Sequence, residues 1–251
     1  TCSLRNCIFV SSSMGALQVE VRQIMQRVPN FFIVGAPKSG TTAMHTYLAD
    51  HPQIFMSSIK EPYYFGQDLT YLVYDCTSLN KYLSLFNDVK DEMIVGESSI
   101  TYLVSKCAAQ EIKAFNPNAQ ILIMLRNPVD MMYSMHSQAL YTRVEDKKNF
   151  EIALNLEKER KKGNHIPPNS TILNIVFYRE LASYYSQVKR FIEIFGQSRI
   201  RIIIYDNFKA DTEHTYLETL KFLGVDENFR PPSFQRINQN KRRRNEWLRQ
   251  V

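Results

Sequence analysis

The sequence predicts an α/β protein: a single domain with a mostly parallel central sheet and helices on both of its faces. Three observations predict it. An apolar stretch at residues 31–34 runs through a glycine-bracketed loop into a helical pattern that starts at Thr42. A second apolar stretch, residues 120–125, ends on Arg126 and turns into another helical pattern at Pro128. Strand-like and helix-like segments alternate along the chain, the order expected of a parallel sheet covered on both faces. A chain of 251 residues with 44% hydrophobic composition suits one such core rather than two.

Residues 1–28 read as a lead-in, with Leu17, Val21, Ile24, Met25 and Val28 at helix-like spacing, and residues 29–251 as the domain. The helix at 42–49 stops at His51-Pro52, because the residue before a proline avoids helical backbone, and 54–56 reads as a short strand. Residues 57–91 are polar and aromatic without a period, so loops with short helices are expected there. A strand at 93–96, a helix at 102–115, the strand at 120–125 and a helix at 128–141 follow. Residues 150–160 are expected as a surface helix, with the charge run 157–162 its solvated end. Leu181, Tyr184, Tyr185, Val188, Phe191, Ile192 and Phe195 recur at three- and four-residue steps, which describes a core-facing helix stopped by Gly196. Residues 200–205 form the last strand and 212–222 the last regular helix, with Gly224 its stop.

The loop between the first strand and helix is built for phosphate. Gly35 and Gly40 let the backbone approach a ligand closely, successive amides and the helix dipole favour an anion, and Lys38, Ser39, Thr41 and Thr42 add charge and hydroxyls. It is not a Walker A loop, in which Lys follows the second Gly directly; here Thr41 stands there and Lys38 precedes Gly40 by two residues. The second strand also departs from a P-loop NTPase, where an Asp would hold Mg²⁺, because it ends in Arg126. A guanidinium at the carboxyl edge of a parallel sheet is placed to fork onto a second phosphate, and Ser134, eight residues on, adds a hydroxyl. The pattern suggests a nucleotide with phosphates at two separate places and no metal ligand set.

On these residues the chain resembles the sulfotransferases that use 3′-phosphoadenosine 5′-phosphosulfate. Lys60-Glu61-Pro62-Tyr63-Tyr64-Phe65 is similar to the "KEPHFF" segment of the branch with glycosaminoglycan and bacterial carbohydrate or polyketide enzymes. Gly96-Glu97-Ser98-Ser99-Ile100-Thr101-Tyr102 is similar to that branch's "GE-S-P-x-Y" segment, with Ile100 where Pro is usual. The run from Asn238 to Arg244 resembles its late nucleotide-closing loop, with Asn240 where Ser is usual. The resemblance implies that the loop at 35–42 holds the 5′-phosphosulfate and that Arg126 and Ser134 hold the 3′-phosphate. It further implies that Lys241 and Arg244 belong to a lid, that Lys38 neutralises the leaving oxygen and that Glu61 is the base. A carboxylate set among Pro62, Tyr63, Tyr64 and Phe65 suits that role. The lesser reading of Glu61 has it pair with Lys60 or Lys38 and only shape the loop, and Lys60 reads either as an acceptor-side cation or as solvated. The implied acceptor is a hydroxylated carbohydrate, polyketide or lipid-like molecule, with an amine the weaker option.

The net charge of +6 favours anionic ligands without pointing to nucleic acid. The alternatives are a P-loop kinase or NTPase, and a non-catalytic polyanion-binding module built on residues 241–244. No stretch reaches the roughly 18 apolar residues of a membrane span. Cys2 and Cys7 fall in the lead-in, and Cys76 and Cys107 read as buried thiols in a reducing, cytoplasmic setting; the resemblance implies a disulfide in the C-terminal third of the family's Golgi enzymes, and no Cys follows Cys107, so the Golgi lumen is the lesser expectation. His136 would face away from Ser134 on a helix, and His45 and His51 carry no partner signal.

Overall fold

The computed structural model describes residues 28–69, 78–170 and 173–234. Five strands, β1 (Phe31–Gly35), β2 (Ile54–Met56), β3 (Ile94–Ser98), β4 (Gln120–Leu125) and β5 (Ile200–Ile204), form one parallel sheet in the order β2-β3-β1-β4-β5. The helices are α1 (Thr41–Ala49), α2 (Leu79–Ser84), α3 (Ala108–Phe115), α4 (Pro128–Tyr141), α5 (Phe150–Asn155), α6 (Glu157–Arg160), α7 (Tyr178–Leu181), α8 (Tyr184–Phe195), α9 (Tyr205–Ala210) and α10 (Thr212–Leu223). This is the parallel α/β architecture that the sequence predicts.

Alternation along the central strands divides the core in two. Phe31 and Ile33 of β1, with Leu122 and Met124 of β4, pack with Met44 and Leu48 of α1 and with Tyr216 and Leu220 of α10. Phe32 and Val34, with Ile121 and Ile123, face the other way onto Ile112 of α3 and Phe191 and Phe195 of α8. Both sets are fully or almost fully buried, which is why these strands read as continuous apolar runs. A third cluster, Met131, Met135, Tyr178 and Leu181, seats α4 against α7. Pro128 opens α4, and the Asn127 side chain caps it by accepting from the amides of Val129 and Asp130. Gly224 ends α10 in the left-handed conformation.

Several expectations need correction. The helix expected at 102–115 begins only at Ala108, because residues 101–104 turn instead, and the Leu103 amide donates to the carbonyl of Val34. The helix expected at 150–160 breaks at Leu156, and two residues of its charged end are buried while Lys158, Lys161 and Lys162 meet solvent. Arg160 is fully buried, with Nη1 and Nη2 each 2.7 Å from a Glu145 oxygen, while buried Glu157 accepts from the amides of Arg179 and Glu180 at the start of α7. The amphipathic segment from Leu181 is interrupted at Ser183, and Tyr185 is 82% exposed rather than core-facing. The last strand stops at Ile204, and the chain turns at once into α9, which its sequence did not announce. Cys107 is a free, half-buried thiol bonded to Asp68, with burial and then that bond pushing its pKa up to about 11. Cys2, Cys7, Cys76, nearly all of the lead-in and the run 235–251 lie outside the described residues. No helix among the described residues is long and apolar enough to cross a membrane.

Candidate phosphate-binding and catalytic site

The loop after β1 is fixed by close packing. A Cβ on Gly35 would sit 2.6 Å from the carbonyl oxygen of Ile100 and 2.9 Å from Cβ of Leu103, so only glycine fits. Gly40, with φ of 88°, stands at the N-cap of α1, and a Cβ there would press on the rings of Phe208 and Tyr205 at 3.1 and 3.2 Å. No side chain caps α1, which leaves its first amides to the loop's interior. Ser39 and Thr41 are buried and Thr42 is half-buried, with Ser39 Oγ donating to the Pro37 carbonyl at 3.2 Å. Lys38, between the glycines, holds a left-handed backbone with φ of 59°.

Arg126 leaves the end of β4 and reaches this loop, where its Nη1 donates to the Lys38 carbonyl at 3.3 Å and its guanidinium lies over the Tyr205 ring. Its Nε is buried and has no partner among the described residues. The hydroxyl of Tyr184, at the start of α8, is buried and unpartnered in the same way. Burial pushes that phenol up to about 12, against the opposing pull of the Arg126 charge and of the Arg126 backbone, which lies near the hydroxyl but outside hydrogen-bond geometry. Ser134 is buried on α4, two turns beyond Pro128, and one turn further along Gln138 accepts from Lys38 Nζ at 3.4 Å. Burial lowers the Lys38 pKa, and the nearby Arg126 and Lys60 charges lower it further while Glu61 opposes them.

Glu61 sits in the loop that follows β2, also with a left-handed backbone, φ 64°, and Tyr63 repeats this with φ 51°. Its carboxylate is bridged by Lys60 Nζ on one oxygen and the Tyr63 hydroxyl on the other, and its side chain remains 26% exposed. The pairing with Lys60 that the sequence left open is therefore present, in a carboxylate that still meets solvent. The structure brings Lys38, Lys60, Glu61 and Arg126 into one electrostatic neighbourhood. Lys241 and Arg244 lie outside the described residues.

Of the histidines, His136 and His51 pack elsewhere, while His45 feels the charges of this cluster. His136 is buried between Phe150 and Tyr178, with Nε2 2.8 Å from the Lys147 carbonyl. His51 Nε2 is 2.9 Å from the Asp226 carbonyl. His45 lies 2.8 Å from Ser98 Oγ, and burial with the Lys60 charge brings its pKa down to about 4. Among the described residues no group of three His, Cys, Asp or Glu side chains is arranged to hold a metal. Sequence reasoning missed Tyr63, Tyr184, Gln138 and Tyr205. Gln138 alone left a signal, four residues after Ser134 and so on the same helical face.

A family model described as "Sulfotransferase domain" matches residues 28–250. The chain is 31% identical to human heparan sulfate glucosamine 3-O-sulfotransferase 6 over 46% of its own length and 32% of that protein's. It spans 22% to 26% of the length of further relatives, among them carbohydrate sulfotransferase 15 of Homo sapiens. The crystal structure of a sulfotransferase from Alicyclobacillus acidocaldarius superposes with a TM-score of 0.75 at 32% identity, covering 84% of this chain and 86% of that one. Mouse sulfotransferase SULT7A1, complexed with PAP, shares the fold at a TM-score of 0.51 and 18% identity, over 79% of this chain and 59% of that one.

Proposed function

Because the chain belongs to the sulfotransferase domain family, we propose that it moves a sulfuryl group from 3′-phosphoadenosine 5′-phosphosulfate to a hydroxyl of a carbohydrate, polyketide or lipid-like acceptor. The observation that carries this is the pair of buried, unpartnered polar groups, Arg126 Nε and the Tyr184 hydroxyl, beside a glycine-bracketed loop with an uncapped helix behind it. Four other orphaned groups occur elsewhere among the described residues, but these two lie together beside the loop, where a phosphate would supply the missing acceptor. A fold neighbour that holds PAP and relatives named for carbohydrate and heparan sulfate acceptors support the same reading.

The donor brings an activated sulfuryl group on a phosphate leaving group. Residues 35–42 bind its 5′ end through amides and the hydroxyls of Ser39, Thr41 and Thr42, while Arg126 and Ser134 take the 3′-phosphate. Lys241 and Arg244 belong to the lid in this reading. Lys38 neutralises the charge that develops on the leaving oxygen, a task that its desolvated ammonium performs more strongly than a hydrated one would. Glu61 accepts the acceptor's proton as the new oxygen–sulfur bond forms in line with the breaking one, and Lys60 and Tyr63 hold its carboxylate in place. Arg126 stands where a nucleotide hydrolase would carry a metal-binding Asp, so turnover is expected to proceed unchanged with chelator present. A cytoplasmic site of action completes the reading and rests on the cysteine pattern.

Thermal stabilisation tests the assignment. The bisphosphate of adenosine with a 3′-phosphate should raise the melting temperature more than ATP or ADP at equal concentration. Preference for ATP that depends on Mg²⁺ would replace this reading with the NTPase one.

A further inference from the structure

Glu97 has no role in the chemistry above, yet it is fully buried at the end of β3 and satisfied by three hydroxyls. Tyr82 and Tyr102 donate to one of its oxygens at 3.0 Å each, and Ser99 Oγ donates to the other at 2.7 Å. Two of those hydroxyls also act as acceptors. Ser99 Oγ accepts from the amide of Tyr63 at 3.3 Å, and the Tyr102 hydroxyl accepts from the amide of Phe65 at 3.2 Å. The Glu61 amide, two residues earlier, donates to the Ser98 carbonyl at 2.8 Å. Alternate amides of the Glu61 loop are thus pinned to residues 98, 99 and 102, across a stretch where Glu61 and Tyr63 hold left-handed backbone.

A hydroxyl has a single hydrogen, so its direction decides which way its lone pairs point. With that hydrogen committed to Glu97, the lone pairs of Ser99 and Tyr102 are left to face the loop amides. We propose that Glu97 is a positioning residue: by orienting the Ser99 and Tyr102 hydroxyls it holds the 61–65 loop, and with it the Glu61 carboxylate, in register with the donor site. The proposal rests on Glu61 being the base. Burial pushes Glu97 up to about 7 against the pull of its three hydroxyl donors and the Lys60 charge. A carboxylate accepts from all three hydroxyls, whereas an amide keeps one accepting oxygen and presents a donor hydrogen at the other position.

The test compares Glu97→Leu, Glu97→Gln and the double variant Ser99→Ala, Tyr102→Phe with wild type in two measurements. One is amide exchange at Tyr63 and Phe65, with the β4 amides as control. The other is the rate at which 3′-phosphoadenosine 5′-phosphosulfate yields the bisphosphate with water as acceptor. Glu97→Leu and the double variant should speed exchange at both loop amides by roughly tenfold or more and slow product formation by roughly 10- to 100-fold, since small misplacements of a reacting group have effects of that size. Bisphosphate affinity should stay within about threefold, and Glu97→Gln, whose single oxygen can accept from only one of Ser99 and Tyr102, should fall between Glu97→Leu and wild type in both properties. Should Glu97→Leu not fold, the double variant decides by the same criteria. Protection kept at Tyr63 and Phe65, or lost with the rate intact, overturns the proposal. If wild type neither prefers the bisphosphate nor forms it, the sulfotransferase reading fails, and the exchange measurement still decides whether Glu97 anchors the loop.

Discussion

The Arg126 guanidinium carbon lies 5.0 Å from the centre of the Tyr205 ring, and its Nη1 also bonds the Lys38 carbonyl. Ring and carbonyl together set the fork before any ligand arrives. Arg126→Ala should weaken bisphosphate binding by about 2 to 5 kcal/mol, the range for losing a desolvated charge-assisted contact. Arg126→Lys should recover little, because a point charge cannot fork or stack as a guanidinium does. Tyr205→Leu should remove only about 1 kcal/mol. Titration calorimetry of the three variants checks the order, and equal affinity of Arg126→Ala and wild type would sink the assignment.

Tyr184→Phe separates affinity from stability. The unpartnered hydroxyl is a liability in the free protein, so its removal should raise unfolding stability by about 1 kcal/mol. The same change should weaken bisphosphate binding roughly fivefold, as the loss of one neutral hydrogen bond. Movement of both quantities in the same direction would remove Tyr184 from the donor site.

Glu61→Gln keeps the shape and the reach of the side chain but lacks the basic lone pair. Donor affinity should hold while the single-turnover rate falls by roughly 10²- to 10⁴-fold. A variant that loses affinity or stability and keeps its rate would make Glu61 a loop-shaping partner of Lys60.

Two buried groups near the Glu61 loop oppose each other in their effect of pH on stability. Glu97 rises from 4.5 to about 7 on folding, so the native state keeps a proton that the unfolded chain releases, and stability is lost as pH climbs through that window. His45 falls from 6.5 to about 4, so the unfolded chain gains a proton that the native state refuses, and stability is lost as pH drops through its window. Each is worth roughly 3 kcal/mol at about 1.4 kcal/mol per pKa unit, and between pH 4.5 and 6.5 they nearly cancel. Urea unfolding should show Glu97→Gln gaining stability with pH across that range and His45→Asn losing it, with wild type flatter than either. Parallel slopes in all three would show that neither group titrates as its surroundings imply.

The loop and the strand-end arginine proposed to hold the donor were legible because local sequence builds them. The run from Phe31 to Val34, the two glycines, Lys38 and Arg126 lie at strand ends or in a single loop, where residue type and spacing carry the chemistry. What could not be read depends on contacts between distant segments. Lys38 and Gln138 meet across 100 residues, Tyr63 meets Ser99 across 36, and Tyr184 reaches Arg126 from a different helix. Arg160 misled for the same reason. Its charge run matched a solvated helix end, and only the fold supplies Glu145 as its buried partner. Glu97, like Gln138, carried a sign of its own, a carboxylate directly after an apolar strand pattern.

Gly35 touches Ile100 and Leu103, while Ser99 and Leu103 bond the carbonyls of Ile33 and Val34. The phosphate loop and the segment that pins the Glu61 loop therefore interlock as matched parts. Segment exchange between family members should succeed when residues 31–42 travel with 94–104, and fail when either is moved alone. New acceptor preferences would then be sought by varying residues outside both segments, leaving that interlocked pair unchanged.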